Sequence, residues 1–174
     1  MNIANKITMF RVVLIPVFLI VLYWGFPYST YVGLGIFILA SLTDFLDGYL
    51  ARSRNLVTDF GKFMDPLADK VLVVTAMLWF TQTGRMPAWA VAIVIFREFA
   101  VSGMRLIAVE KGRVIAAGWS GKVKTASTMV CLCLMFLPIP DVLVWVCVAV
   151  IVITTVYSGA EYFIKNRDVF SGEM

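Results

Sequence analysis

Residues 31–80 read YVGLGIFILASLTDFLDGYLARSRNLVTDFGKFMDPLADKVLVVTAMLWF. Two apolar stretches, 31–50 and 66–81, flank a polar break, and the segment that joins them is dense in Asp and Arg. Asp44 and Asp47 are three residues apart, which on a helix sets them about 60° apart on one face. Gly48 and Ala51 lie on or beside that face and leave space for a ligand to approach the backbone, and Arg52 follows at the interface. After a short polar break, Gly61, Asp65 and Asp69 recur at four-residue steps, a single stripe within about 80°. Two antiparallel helices are expected here, with four carboxylates converging from their ends.

The rest of the chain supports a membrane setting for that hairpin. Of 174 residues, 61% are hydrophobic and 15% charged, and the mean hydropathy is +0.90. Soluble domains are about half apolar and a quarter charged, so this composition has too little polar surface for a water-soluble globule. It also excludes disorder, collagen and a disulfide scaffold. A bilayer crossing takes about 20 apolar residues, and six stretches approach or reach that length: 8–24, 31–50, 66–81, 88–108, 123–137 and 142–164. The expected fold is all-α, an integral membrane bundle of six transmembrane helices forming one domain over 1–174. Residues 1–7 are candidates for a short interfacial helix.

Breakers separate the stretches at Gly25 to Pro27, Gly84 to Pro87 and Pro138 to Pro140, and these three connections carry one base, Arg85. The opposite ends carry Lys6, Arg11, Arg52, Arg54, Lys62, Lys70, Arg105, Lys111, Arg113, Lys122, Lys124, Lys165 and Arg167. Basic residues gather on the cytoplasmic side of membrane proteins, so both termini and the acidic hairpin are expected there. The net charge of +4 has its explanation at the membrane face, and nucleic acid is not an expected partner. Histidine is absent, which removes His-ligated metals and every His-dependent triad. Cys131, Cys133 and Cys147 lie in apolar runs without pairing or metal spacing and read as core residues.

Acidic side chains at a membrane mark function. Four ionised carboxylates in a partly desolvated site repel one another, so protons or cations must offset them. Oxygen-only donors select hard divalent ions, Mg²⁺ or Mn²⁺, and two such ions suit an in-line displacement at phosphorus. Ion pairing of these acids with Arg52, Lys62 and Lys70 is the alternative without catalysis, and it explains one Asp more easily than four on two stripes.

The pattern Asp44-x2-Asp47-Gly48-x2-Ala51-Arg52-x8-Gly61-x3-Asp65-x3-Asp69 resembles, position for position, the signature of the CDP-alcohol phosphotransferases. That resemblance implies a six-helix membrane enzyme, a homodimer, whose active site opens to the cytoplasm and which displaces CMP from a CDP-linked lipid with an alcohol. It implies that Asp44, Asp47 and Asp65 are metal ligands and that Asp69 is a general base also able to touch a metal. Gly48, Ala51, Arg52 and Gly61 would line the cytidine diphosphate site. A carboxylate within hydrogen-bond reach of a hydroxyl fits the base role, since it takes the proton as the P–O bond forms.

The acceptor alcohol has to be read from other residues. Arg105, Lys122 and Lys124 lie near the cytoplasmic ends of the fourth and fifth stretches and suit an anionic acceptor held by charge-assisted bonds. Ordinary cytoplasmic positive charge would also explain them. Arg97 is as well placed for a structural pair with Glu98. The segments REFAVSGMR (97–105) and GKVKT (121–125), with the Asn5-x2-Thr8-x2-Arg11 pattern, resemble the bacterial branch of the family that forms phosphatidylglycerophosphate. In that branch CDP-diacylglycerol meets sn-glycerol 3-phosphate at the bacterial inner membrane, with Arg105, Lys122 and Lys124 as acceptor-phosphate ligands. Inositol phosphate, serine or a cardiolipin-forming acceptor remain alternatives within the family. A membrane prenyltransferase is disfavoured because Asp47 and Asp65 are close in the chain. A small proton- or cation-coupled transporter would leave the Gly, Ala and Arg spacing without a role.

Overall fold

The computed structural model describes residues 3–53, 59–116 and 118–169, with side chains apart from those of 3–7, 44–53, 59–63 and 65–66. Among the described residues six α-helices follow one another: α1 Ile3–Trp24, α2 Ser29–Ser53, α3 Asp59–Gln82, α4 Ala88–Glu110, α5 Trp119–Met135 and α6 Asp141–Lys165. A 3-10 turn, Arg167–Val169, comes last, and no strand occurs among the described residues. The all-α expectation is met. Residues 3–7, within the stretch 1–7 read as a candidate interfacial helix, are continuous with α1, because no breaker stands between Ile3 and Thr8. Among the described residues α6 is the one helix long and apolar enough to cross a membrane, while the apolar parts of α1 and α2, Thr8–Trp24 and Ser29–Thr43, are shorter.

The chain packs as two compact units. The first comprises Met1–Trp79 with Phe136–Pro138. In it α1 and α2 pack together, joined by four residues in which Gly25 and Tyr28 take positive φ. Such a short connection makes neighbouring helices antiparallel. A Cβ on Gly33 would lie 2.5 Å from Leu22 Cδ2, so α2 approaches α1 closely there. Phe18, Phe37 and Phe136 form a ring cluster with centroids 5.9–6.2 Å apart. Trp79 stacks on Phe136 at 5.6 Å. Ala68, Leu72 and Ala76 are buried along α3 at four-residue steps, the repeat of a helix face.

The second unit comprises Phe80–Met135 and Ile139–Met174. It opens with a Schellman turn that ends α3: Gly84 takes φ +75° and donates to Thr81 O, and Arg85 N donates to Phe80 O. A second Schellman turn at Gly112, φ +72°, ends α4. Only glycine adopts this backbone without strain. α6 packs on both α4 and α5, burying Val94, Met104, Leu132, Met135 and Ile151. Ser127 Oγ donates across to Thr154 Oγ1 at 3.3 Å, a polar link between apolar helices.

Arg85 Nη1 donates to Met135 O at 2.6 Å, at the C-terminal end of α5 where carbonyls lack helical partners. We expect Arg85→Ala to destabilise the protein by about 1–3 kcal/mol, the worth of a hydrogen bond from a charged group. That corresponds to a melting temperature several degrees lower in detergent; an unchanged melting curve would show the contact to be idle.

Candidate active site

α2 continues to Ser53 and α3 begins at Asp59. Both pass the ends of the apolar stretches read from hydropathy. Asp44, Asp47, Gly48, Ala51 and Arg52 therefore all stand on unbroken helix, as do Gly61, Asp65 and Asp69. The periodicity that groups them into two stripes is thus realised in the backbone. The side chains of Asp44, Asp47, Gly48, Ala51, Arg52, Gly61 and Asp65 lie outside the described residues. Asp69 is described: it is half-buried on α3 and engaged by a neighbour, as is Lys70 beside it. As a donor set, carboxylate oxygens at helical spacing fit a hard divalent cation and do not suit a soft one.

Also in the first unit, Thr8 and Arg11 are buried one turn apart on α1, at 1% and 0% exposure, and both are engaged by neighbours. A base that anchored the helix at the interface would reach water, and Arg11 does not. Nothing in the residue pattern beyond their three-residue spacing signals that burial.

In the second unit the three bases expected to bind an acceptor phosphate each have a different companion. Lys124 is nearly fully buried, and its Nζ donates to Glu98 Oε1 at 2.6 Å. Arg105 Nε donates to Tyr162 Oη at 3.1 Å, with the guanidinium 5.5 Å from the ring centroid. Lys122 Nζ stands 5.9 Å from the centroid of Trp119, within range of a cation–π contact. Arg97 Nη1 donates to Glu98 Oε1 at 3.0 Å, the structural pair that its position in the sequence allows.

A cavity of about 300 Å³ lies beside Tyr162, with Arg113, Ser120, Glu161, Lys165 and Asn166 on its walls. Arg105 thus touches the cavity through Tyr162. Lys111 and Arg113 are tied to the chain itself. Lys111 Nζ donates to Val169 O at 2.8 Å, and Arg113 pairs with Asp168. The Arg113 guanidinium holds the exposed Asp168 carboxyl below the usual carboxylate range, so this pair persists at neutral pH and is lost as pH falls through that lowered value.

Comparison with known proteins gives a consistent result. The sequence profile described as CDP-alcohol phosphatidyltransferase matches residues 1–157. The chain is similar to a CDP-diacylglycerol--glycerol-3-phosphate 3-phosphatidyltransferase of Bacillus subtilis, at 43% identity over 95% of each chain. It is similar to a probable phosphatidylglycerophosphate synthase of Mycobacterium tuberculosis, at 37% identity over 97% of this chain and 83% of the other. A third relative, a CDP-diacylglycerol--glycerol-3-phosphate 3-phosphatidyltransferase of Escherichia coli, is 43% identical over 75% of this chain and 74% of its own.

Proposed function

The chain belongs to the CDP-alcohol phosphatidyltransferase family, and we propose that it transfers the phosphatidyl group of CDP-diacylglycerol to the 1-hydroxyl of sn-glycerol 3-phosphate. The products are phosphatidylglycerophosphate and CMP. One observation carries this acceptor: 43% identity, from end to end, to a relative named for that reaction.

In this reading Asp69 accepts the hydroxyl proton of glycerol 3-phosphate while the oxygen attacks the phosphorus that bears diacylglycerol. The bond from that phosphorus to the bridging oxygen breaks, and CMP leaves with the electron pair. No covalent enzyme intermediate is needed, because the alcohol attacks directly. Asp44, Asp47 and Asp65, together with Asp69, would hold two divalent ions, Mg²⁺ or Mn²⁺. When bound, these ions offset the charge of the pyrophosphate and of the leaving CMP. Gly48, Ala51 and Gly61 make room for the nucleotide, and Arg52 adds a positive charge beside it. Arg105, Lys122 and Lys124 receive the acceptor's phosphate.

The same reading makes the protein a homodimeric enzyme of a bacterial cytoplasmic membrane. All six helices cross or enter the bilayer as one domain, both termini are cytoplasmic, and the active site faces the cytoplasm. The distribution of bases supports this orientation.

The test is a product assay with purified protein, CDP-diacylglycerol and Mg²⁺, offering glycerol 3-phosphate, inositol phosphate or serine. CMP release with phosphatidylglycerophosphate is expected for the first alone. Product with another alcohol, and none with glycerol 3-phosphate, overturns the acceptor; no CMP with any of them overturns the reaction.

A further inference from the structure

Three charged side chains meet among α4, α5 and α6. Arg97, Glu98 and Lys124 keep 13%, 18% and 7% side-chain exposure, and both cations donate to the same oxygen, Glu98 Oε1. The helices around Arg97 leave it little choice of place. A Cβ on Gly121 would stand 3.7 Å from Arg97 Nη2, and one on Gly159 would stand 3.2 Å from Arg97 Cγ. The guanidinium therefore lies against the α5 backbone and its stem against α6. Arg97 Nε is buried without a hydrogen-bond partner, so the bond to Glu98 is the guanidinium's described polar tether.

We propose that Glu98 is a positioning residue for the acceptor's phosphate, holding Lys124 Nζ at a fixed place beside the immobilised Arg97. The proposal rests on the reading in which Lys124 binds that phosphate. Coulomb's law alone gives the opposite expectation, since a carboxylate near a phosphate site repels the ligand and its removal should tighten binding. Geometry decides against that. Without Glu98 the two cations lose the oxygen they share and repel each other in a poorly hydrated setting. Arg97 is confined by two glycines, so Lys124, on its flexible four-carbon stem, is the one to move. A charge held in place binds better than one that must first be ordered.

The experiment measures kcat and both KM values for the full-length enzyme and for Glu98→Gln, Glu98→Asp, Lys124→Ala and the double variant Glu98→Gln/Lys124→Ala. Glu98→Gln is expected to raise KM for glycerol 3-phosphate about tenfold, with kcat and KM for CDP-diacylglycerol within about twofold. Glu98→Asp keeps the charge one methylene back and is expected to restore most of that loss, leaving a rise of about threefold. In the Lys124→Ala background, Glu98→Gln is expected to add less than about twofold, because its effect passes through the missing amine.

A lowered or unchanged KM for glycerol 3-phosphate, equal rises in both KM values, or additivity in the double variant overturns the positioning role. If Glu98→Gln yields no folded protein, Glu98→Asp decides alone on the same constant. Lys124→Ala separates the two ideas. An unchanged acceptor KM there sinks the acceptor reading itself. A raised one, beside an unaffected Glu98→Gln, sinks only the role of Glu98.

Discussion

Asp69→Asn is expected to slow CMP release at least about a hundredfold, within the roughly 10²–10⁴-fold range for loss of a general base. The substitution keeps the size and planar shape of the side chain but removes its ability to take a proton. Helix packing around α3 is therefore retained, with Ala68, Leu72 and Ala76 still on their buried stripe. Loss of rate then reports on the chemistry rather than on folding. The measurement is turnover at saturating CDP-diacylglycerol and glycerol 3-phosphate, with a thermal melt to show that the variant is folded. Retention of more than about a tenth of the parent rate removes Asp69 as the base.

Excess EDTA is expected to lower activity to below about a hundredth, and added Mg²⁺ or Mn²⁺ to restore it. The physical ground is repulsion. Two unit charges 4 Å apart cost about 4 kcal/mol at the effective dielectric of a protein surface. A few such pairs would consume most of a typical folding stability of about 5–15 kcal/mol. Cations among the aspartates would offset that cost and leave the carboxylates ionised, whereas protonation would offset it by neutralising them. Undiminished turnover in EDTA would end this account of the acidic stripes.

The helices were legible because Gly and Pro mark three connections and because long apolar runs stand between the breakers. Their ends were less so. Hydropathy closes the second stretch at Leu50 and opens the third at Pro66, whereas the helices run to Ser53 and from Asp59. A helix needs only its own backbone hydrogen bonds, and Asp, Arg and Gly are tolerated in a turn outside the apolar layer. Hydropathy therefore reads the layer rather than the helix.

That the aspartates stand on two helices was legible from spacing, since each set is local to one helix. The surroundings of the bases were not. Glu98 meets Lys124 from another helix, Tyr162 meets Arg105 across 57 positions, and the turn at 167–169 meets Lys111 and Arg113. Such partners are set by how helices pack, which no local pattern encodes. Arg11 makes the same point, as a charge at the start of an apolar run that is fully buried.

The two packed units divide the proposed chemistry along the chain. The aspartates and the nucleotide-side glycines belong to the first, and Arg105, Lys122 and Lys124 to the second. Under the proposed roles, leaving-group handling and choice of alcohol are encoded in separate stretches of gene. Drift in α4 to α6 is then free to retune what is accepted while the reacting phosphorus stays under unchanged control, a modularity by which one scaffold could diversify into many headgroups.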